Sequence, residues 1–312
     1  MSQVIPAKGI PVPTPENLSP TSPVATPDEW TVQRILDWTA NHLAQHGSES
    51  PRLDAEILLA HSRGCPRIEL YTRYAEVLTD EERSTMRELV KRRAKAEPVA
   101  YLVGHKEFYN LSFQVTADVL IPRPDTETLV MESLSHLRDQ TDATILEIGT
   151  GSGCIPVAIT KRHSTVHVTT VDVDEAASQV AQSNAETHEV AERIEFLNGD
   201  LFAPVEANKQ FDLIISNPPY IREEDIGELD PDVRLHEPHL ALNGGPDGLD
   251  VIRRLVAEAP NWLKSGGWLL FEIGEDQGDA CRELLNANGS FENIQIIKDL
   301  SKHDRVAKAQ LV

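Results

Sequence analysis

Residues 144–153 carry the sequence TILEIGTGSG, and this stretch decides the fold. Its first five residues are mostly apolar and predict a buried strand, and the glycines that follow would let the backbone approach a ligand closely before a helix begins. The dinucleotide-binding pattern G-x-G-x-x-G would require glycine at position 154, where Cys154 stands, so that class of cofactor is disfavoured. By itself the turn would also suit a purely structural role. Its position after a strand favours an α/β sheet that binds its ligand at the carboxyl ends of the strands.

Strand-like and helix-like segments alternate after residue 142. Apolar runs predict strands at 144–148, 166–171, 194–197, 211–215 and 268–273. Helical patterns predict helices at 155–161, 175–186, 248–263 and 276–286. This alternation predicts a doubly wound, mostly parallel α/β sheet with helices on both faces. The last two predicted strands, 294–297 and 305–311, are too close in sequence for a crossover helix, so they predict an antiparallel hairpin at one edge and bring the total to seven strands.

The chain before residue 125 divides into three predicted segments. Residues 1–29 are predicted to be a disordered tail, because the first 27 residues hold seven of the twenty prolines and almost no apolar periodicity. Residues 30–97 carry apolar side chains at helical spacing and predict a small all-α bundle. Residues 98–124 are predicted to be a linker built on a β-hairpin.

The end of this linker is expected to be stiff. The hairpin is predicted to extend to the apolar residues 119–121. The two prolines in the sequence IPRPDTE at 121–127 fix their φ angles, which favours a rigid turn. Thr126 or Asp125 is then expected to cap a helix at 128–137.

Composition excludes several classes of protein. The 312 residues include 29 lysines and arginines against 50 aspartates and glutamates, which gives a formal net charge of −21. The three cysteines are widely spaced and form no metal-binding or disulfide pattern. No apolar run approaches the roughly 20 residues that a membrane helix needs, and the N-terminus lacks the apolar segment of a signal peptide. These observations predict a soluble, acidic protein of the cytoplasm.

The negative charge is concentrated in residues 98–312, which hold 17 basic against 36 acidic residues, a net charge of −19. Affinity for nucleic acid depends largely on basic side chains that neutralise phosphates, so this charge argues against direct binding of DNA or RNA. The basic residues between positions 83 and 95 are expected to form a solvent-exposed helix face.

A second motif, SNPPY at residues 216–220, follows an apolar strand. Pro218 and Pro219 have fixed φ angles and donate no backbone N–H, so the loop offers carbonyl acceptors next to the side chain of Asn217. Tyr220 adds a flat surface. The ligand that fits such a loop is a planar group with an NH₂, which is either a carboxamide or the amine of a nucleobase.

Acidic residues follow two neighbouring strands. Asp172 could accept hydrogen bonds from ribose hydroxyls, and the sequence NGDL, which contains Asp200 and Leu201, would meet an adenine. Because the carboxyl ends of parallel strands meet at one edge of a sheet, these residues and the glycine turn together favour a ligand crevice over a structural turn. His236 and His239 have no third ligand near them in sequence, so no metal site is predicted.

The glycine turn and the NPPY motif together resemble class I S-adenosylmethionine-dependent methyltransferases that act on a planar nitrogen. Three further stretches narrow the resemblance to the peptide chain release factor glutamine methyltransferases, the PrmC/HemK family: GHKEFY at 104–109, IPRPDTE at 121–127 and ALNGGPDGLD at 241–250. The resemblance extends from residue 30 to the C-terminus and implies that residues 125–312 form the methyltransferase domain.

The resemblance implies S-adenosyl-L-methionine as cofactor, S-adenosyl-L-homocysteine as its product and class I peptide chain release factors as partners. The cofactor-binding residues that it implies are Gly149, Thr150, Gly151, Ser152, Gly153, Asp172, Asp200, Leu201 and Asn217. The substrate-binding residues that it implies are Asn217, Pro218, Pro219 and Tyr220, of which Asn217, Pro218 and Tyr220 would be catalytic. Some family members carry an aromatic residue against the adenine, whereas Leu201 offers only an apolar contact there.

The implied reaction is methyl transfer to the side-chain amide nitrogen of the glutamine in the Gly-Gly-Gln motif of release factors. We expect the side-chain oxygen of Asn217 and the carbonyl of Pro218 to accept the two N–H bonds of that amide, which would fix its nitrogen in line with the methyl group. Tyr220 is expected to pack against the amide plane, and neither a metal nor a strong base is required.

Other functions stay open on the sequence. The NPPY motif would suit an adenine amino-methyltransferase equally well, although the charge of residues 98–312 and the lack of an inserted recognition domain argue against it. Glutamine methylation of a ribosomal protein and a non-catalytic cofactor-binding role are further alternatives. A monomer is expected, and the neutral charge of residues 30–97 makes the helical bundle a candidate contact surface for the protein substrate.

Overall fold

The computed structural model describes residues 29–312, so the tail predicted at 1–29 lies outside the described residues except for Glu29. Residues 29–312 form a helical N-terminal domain, a short β-hairpin and an α/β domain built on a seven-stranded sheet. The predicted fold class is therefore confirmed. In this part of the chain no helix is long and apolar enough to cross a membrane.

Five helices form the N-terminal domain: α1 (Val32–Gln45), α2 (Pro51–Arg63), α3 (Arg67–Thr72), α4 (Asp80–Arg93) and α5 (Val99–Val103). Pro51 begins α2, where the N–H that proline lacks would have no partner inside the helix. Thr79 precedes α4 and forms a reciprocal capping box with Glu82. The domain continues beyond the predicted boundary at residue 97, because Pro98 leads directly into α5.

The hairpin consists of two strands, β1 (His105–Phe108) and β2 (Leu111–Gln114). Tyr109 and Asn110 form its two-residue turn with φ angles of 52° and 59°, the left-handed region that suits the twist of a tight hairpin. The strand predicted at 119–121 is wrong. The backbone N–H of Val119 donates to the carbonyl of Thr116 at 3.2 Å within a turn, so the chain bends here instead of pairing as a strand.

Seven strands form the sheet: β3 (Thr144–Ile148), β4 (His167–Asp172), β5 (Ile194–Asn198), β6 (Phe211–Ser216), β7 (Leu263–Glu272), β8 (Phe291–Lys298) and β9 (Asp304–Leu311). Their order is β5-β4-β3-β6-β7-β9-β8, and the first five are parallel to one another. β9 runs antiparallel to both β7 and β8, so the expected hairpin at this edge is present and its second strand lies on the inner side.

Seven helices accompany the sheet: α6 (Glu127–Leu137), α7 (Cys154–Arg162), α8 (Glu175–Thr187), α9 (Pro231–His236), α10 (His239–Leu242), α11 (Asp250–Glu258) and α12 (Gly278–Asn288). Apolar clusters pack against both faces of the sheet. The helix predicted at 248–263 ends at Glu258, because a 3₁₀ turn at Ala259–Asn261 contains Pro260 and Leu263 already begins β7. The sequence did not predict α9 and α10, which have 6 and 4 residues and are too short to show helical periodicity.

The buried side chain of Asn184 on α8 connects the hairpin to the glycine turn. Its Oδ1 accepts from the backbone N–H of Gln114 at 2.7 Å. Its Nδ2 donates to the carbonyl of Gln114 at 3.0 Å and to the carbonyl of Ser152 at 2.9 Å. One amide therefore satisfies polar groups from two segments that are far apart in sequence.

We expect Asn184→Ala to lower the free energy of unfolding by about 2–3 kcal/mol, because it leaves buried backbone groups without partners. Urea unfolding followed by circular dichroism measures this loss. Ser183→Ala is the matched control, since it removes a single 3.2 Å bond to the side chain of Gln114. Equal stability of the two variants would contradict the role assigned to Asn184.

Candidate functional site

A cavity of about 310 Å³ opens at the carboxyl ends of β3, β4, β5 and β6. Ten of the twelve site residues named from the sequence line it: Gly149, Thr150, Gly151, Ser152, Asp172, Asp200, Leu201, Asn217, Pro218 and Pro219. Gly153 and Tyr220 do not. Parts of the linker at 118–126 and of the segment at 238–241 form further walls of the cavity.

The glycine turn adopts a backbone that side chains rarely tolerate. Gly149, Gly151 and Gly153 have φ angles of +86°, +52° and +75°. A Cβ at Gly151 would meet nothing within 4 Å, so the turn is open there to a ligand. A Cβ at Gly153 would lie 2.9 Å from the Cβ of Ala181, so the absence of a side chain here allows α7 and α8 to pack closely.

Asp172 ends β4 and supports the glycine turn. Its Oδ2 accepts from the backbone N–H of Gly151 at 2.8 Å, and its Oδ1 accepts from the N–H of Asp174 at 2.9 Å. Burial raises the pKa of Asp172, and these backbone hydrogen bonds oppose that increase. Each carboxylate oxygen retains a lone pair, so the group can still accept a hydrogen bond from a hydroxyl in the cavity.

Asp200 forms an ion pair across the rim of the cavity. The guanidinium of Arg254, on α11, donates to both carboxylate oxygens of Asp200, at 2.7 and 3.1 Å. This contact holds the pKa of Asp200 below its usual range. Leu201 is buried next to it with φ at +50° and lines the cavity together with Val251. The sequence did not point to Arg254, because nothing in its helix marks it apart from other exposed arginines.

The NPPY loop touches the glycine turn. Ser216 Oγ donates to the carbonyl of Ile148 at 2.7 Å and so connects the ends of β6 and β3. A Cβ at Gly149 would lie 3.6 Å from the carbonyl oxygen of Asn217. The Nδ2 of Asn217 donates to Thr126 Oγ1 at 3.2 Å, and no residue within 29–312 donates to its Oδ1. Asn217 therefore has an acceptor available at the cavity wall.

The prediction that Thr126 or Asp125 caps α6 is wrong. Thr126 precedes α6 but makes no side-chain capping bond. Its φ and ψ of −63° and −18° are already helical, because a 3₁₀ turn at Pro124–Thr126 runs directly into the helix, whereas a capping side chain needs an extended backbone. Asp125 instead lies with its Oδ2 3.4 Å from the guanidinium of Arg305.

Tyr220 directs its hydroxyl to a buried carboxyl that the sequence analysis missed. The hydroxyl donates to Glu272 Oε1 at 3.2 Å. Glu272 ends β7 and is 1% exposed. Burial raises the pKa of Glu272 to about 7 and also raises the pKa of Tyr220. The available signal was a single carboxyl within the apolar run WLLFEI at 268–273.

A second buried carboxyl, Glu147, lies on β3 directly before the glycine turn. Thr170 donates to its Oε2, and the hydroxyls of Thr150 and Thr170 are 2.6 Å apart. Its Oε1 is buried without a hydrogen-bond partner among residues 29–312. Burial raises the pKa of Glu147 well above its usual range, which favours the neutral form of this side chain.

A third buried carboxyl, Glu237, stands between α9 and α10 and contacts the linker. Its Oε2 accepts from the backbone N–H of Ile121 at 3.2 Å, and its Oε1 pairs with Arg123. The contact attaches this segment to the opposite wall of the cavity. The neighbouring His236 and His239 are half-buried and exposed. Within residues 29–312, no three His, Cys, Asp or Glu side chains are grouped so as to hold a metal ion.

Comparisons with known proteins match nearly the whole described chain. Residues 34–104 match a family model described as the PrmC N-terminal domain, and residues 123–229 match one described as the methyltransferase small domain. The release factor glutamine methyltransferase of Rhodopirellula baltica is 45% identical over 90% of this chain and 96% of its own. The protein of that name from Geobacter sulfurreducens is 42% identical over 91% of this chain and 98% of its own.

A solved structure also shares the fold. The catalytic domain of hMettl16, in complex with the MAT2A 3′UTR hairpin 6, superposes with a TM-score of 0.53 at 14% identity over 72% of this chain and 81% of its own. At this identity the likeness concerns the α/β architecture alone.

We expect the free energy of unfolding of the wild-type protein to depend on pH through Glu147, and we expect Glu147→Gln to remove this dependence. Because the folded pKa of Glu147 is raised, the native state holds a proton that the unfolded chain releases above about pH 4.3. Wild-type stability should therefore fall relative to the variant as pH rises above the pKa of a glutamate in the unfolded chain, about 4.3, by at most about 1.4 kcal/mol per pH unit.

Urea midpoints of both proteins at several pH values measure this difference, with the exposed Glu283→Gln as control. A gap between wild type and Glu147→Gln that stays constant with pH would show that Glu147 is ionised in the folded protein.

Proposed function

The chain belongs to the family of release factor glutamine methyltransferases, and from this premise we propose that it methylates the glutamine in the Gly-Gly-Gln motif of class I peptide chain release factors. The methyl group goes to the side-chain amide nitrogen. The observation that carries the proposal is the contact between the glycine turn and the NPPY loop, with Gly149 next to the Asn217 carbonyl. This contact supports a cofactor site at the glycine turn beside a site for a planar amide at the NPPY loop.

The residues around the cavity fit S-adenosyl-L-methionine. The open, left-handed backbone at Gly151 suits a ligand that approaches the main chain closely, which would be the methionine part. Asp172 would accept from ribose hydroxyls, and the apolar Leu201 and Val251 would contact the adenine with Asp200 at the rim. When bound, the cofactor supplies an electrophilic methyl group and leaves as S-adenosyl-L-homocysteine.

The substrate amide needs help because the lone pair of its nitrogen is conjugated with its carbonyl. We assign two acceptors to its NH₂ group, the Oδ1 of Asn217 and the carbonyl of Pro218, both of which belong to cavity-lining residues. Two acceptors fix the nitrogen in one orientation and stabilise the positive charge that develops on it during methyl transfer. Positioning supplies most of the rate enhancement in this scheme, and no strong base is involved.

Pro219 and Tyr220 shape the same loop. Pro219 lines the cavity, and its ring keeps the loop stiff. The role expected for Tyr220, packing against the amide plane, stays a prediction. Its hydroxyl donates to Glu272, and this bond restricts the orientation of the ring.

The helical domain is proposed to contact the release factor. The end of its helix α4 lies against α9, which comes directly before the cavity wall at 238–241: Arg93 is 3.7 Å from Asp232, and the carbonyl of Lys95, just after α4, is 3.3 Å from His236 Nε2. A protein whose glutamine enters the cavity would therefore meet α4 nearby. We further propose that the enzyme acts as a monomer in the cytoplasm, which suits its three free cysteines.

We expect labelled methyl groups from S-adenosyl-L-methionine to enter a class I release factor and not the same factor with the Gly-Gly-Gln glutamine changed to alanine. Asn217→Ala should lower turnover by about 10²-fold or more, because the amide loses one of its two acceptors. Cofactor affinity, measured by calorimetry, should change little.

Asn286→Ala is the matched control, since Asn286 is exposed and bonds only to the carbonyl of Arg282 in its own helix. Near-wild-type turnover by Asn217→Ala would refute the assigned role. No label in either release factor, with cofactor bound, would refute the substrate and direct the search to ribosomal proteins and nucleic acid.

Exposed basic residues on α4 and in the turn directly after it supply a second test. We expect the double variant Arg87→Glu/Lys95→Glu to raise KM for the release factor while leaving kcat and the KM for the cofactor unchanged, because these residues lie outside the cavity. Arg138→Glu, an exposed charge reversal after α6, is the control. An unchanged KM for the release factor would show that this face of α4 does not contact it.

A further inference from the structure

Two buried side chains, Thr126 and Glu272, lie next to Asn217 and have no role in the proposed mechanism. Ser216 on β6 pairs with Phe271 on β7, so the next residues, Asn217 just after β6 and Glu272 at the end of β7, lie side by side. Thr126 lies against both from the turn before α6 and is 2% exposed.

The hydrogen bonds between these groups have a direction. The Nδ2 of Asn217 donates to Thr126 Oγ1, so the single hydroxyl hydrogen of Thr126 is left to donate elsewhere. The group that it faces is the carboxyl of Glu272, whose Oε1 accepts from the Tyr220 hydroxyl and whose Oε2 is buried without a hydrogen-bond partner among residues 29–312. This free oxygen is the acceptor available to the Thr126 hydroxyl.

This direction decides which atom of Asn217 meets the substrate. An amide side chain has one acceptor and one donor end, and exchanging them costs little unless a neighbour distinguishes them. As long as Thr126 donates to Glu272, its oxygen can only accept from Asn217. The Nδ2 of Asn217 then faces Thr126 and the Oδ1 is left for the NH₂ of the substrate.

We propose that Thr126 and Glu272 are positioning residues that hold the Asn217 side chain with its oxygen towards the substrate amide. The inference rests on the proposed function, because it concerns the same acceptor. Neither residue touches the reacting atoms; both act through Asn217. We call the series Asn217–Thr126–Glu272 the acceptor relay.

The relay also predicts a response to pH. Burial raises the pKa of Glu272 to about 7, and the groups that face it come from several elements. These groups are the hydroxyls of Thr126 and Tyr220, the carboxylate of Asp125, the guanidinium of Arg305 on β9 and the thiol of Cys154 on α7.

Protonation of Glu272 reverses the direction of the hydrogen bonds in the acceptor relay. A neutral Glu272 can donate to Thr126, whose hydrogen then turns to Asn217 and favours the flipped amide, with Nδ2 towards the substrate. Two NH₂ groups would then face each other. The wild-type kcat is therefore expected to rise as pH increases through about 7.

The test compares Thr126→Val, which has the same shape but no hydroxyl, with Thr126→Ser, which keeps the hydroxyl. Thr126→Val should lower kcat for release factor methylation by about 10–100-fold, because Asn217 can then turn either way. Cofactor affinity should be unchanged, and Thr126→Ser should restore most of the activity. Thr39→Val is the control, because it makes the same replacement at a buried threonine of the helical domain.

Glu272→Gln is the second variant, because its side-chain amide can donate to Thr126 at every pH. It should give a low kcat without the rise near pH 7. Melting curves of all variants check that the fold is intact.

Wild-type-like kcat in Thr126→Val, or an unchanged pH profile in Glu272→Gln, would overturn the relay while leaving the proposed function standing. A wild-type enzyme that fails to methylate the release factor in the same assay would overturn the proposed function itself, and the relay with it.

Discussion

Parallel pairing of β3 with β4 on one side and β6 on the other puts three strand ends next to one another, and the site depends on this arrangement. The glycine turn leaves β3, Asp172 ends β4, and the NPPY loop leaves β6. Two hydrogen bonds keep the three ends in register: Gly149 N–H to Val171 O at 2.8 Å, and Ser216 Oγ to Ile148 O at 2.7 Å. A shift of one strand would separate the glycine turn from the NPPY loop.

Strong local patterns made much of this architecture predictable. The alternation of apolar runs and helical segments predicted all seven strands of the sheet, and ten of the twelve site residues named from the sequence line the cavity. The sequence did not predict the roles of side chains whose partners are far away in the chain. Thr126 has the residue type of a helix cap, but its hydroxyl meets Asn217, 91 positions away. The helices α9 and α10 are too short to show a helical repeat of apolar residues. Arg254 and Glu272 are important only because the fold brings them to the site.

Acidic residues are distributed unevenly between the surface and the interior of the protein, as well as along the chain. Most acidic residues are on the surface, yet Glu147, Glu237 and Glu272 are buried around one cavity. Each has a raised pKa because of burial, and each contacts a different structural unit: the strand below the glycine turn, the linker and the NPPY loop. Buried carboxyls accept hydrogen bonds in fixed directions, so they define the orientation of neighbouring polar groups where an apolar core would leave it free.

The position of β9 has a consequence for the order of assembly. This strand comes last along the chain but lies between β7 and β8, and its Arg305 reaches Asp125 at the front of α6. During synthesis, β7 and β8 can form only an incomplete sheet until residues 304–311 have emerged from the ribosome. The sheet therefore closes only after residues 304–311 have been made, by which time every residue that lines the cavity is already present in the chain.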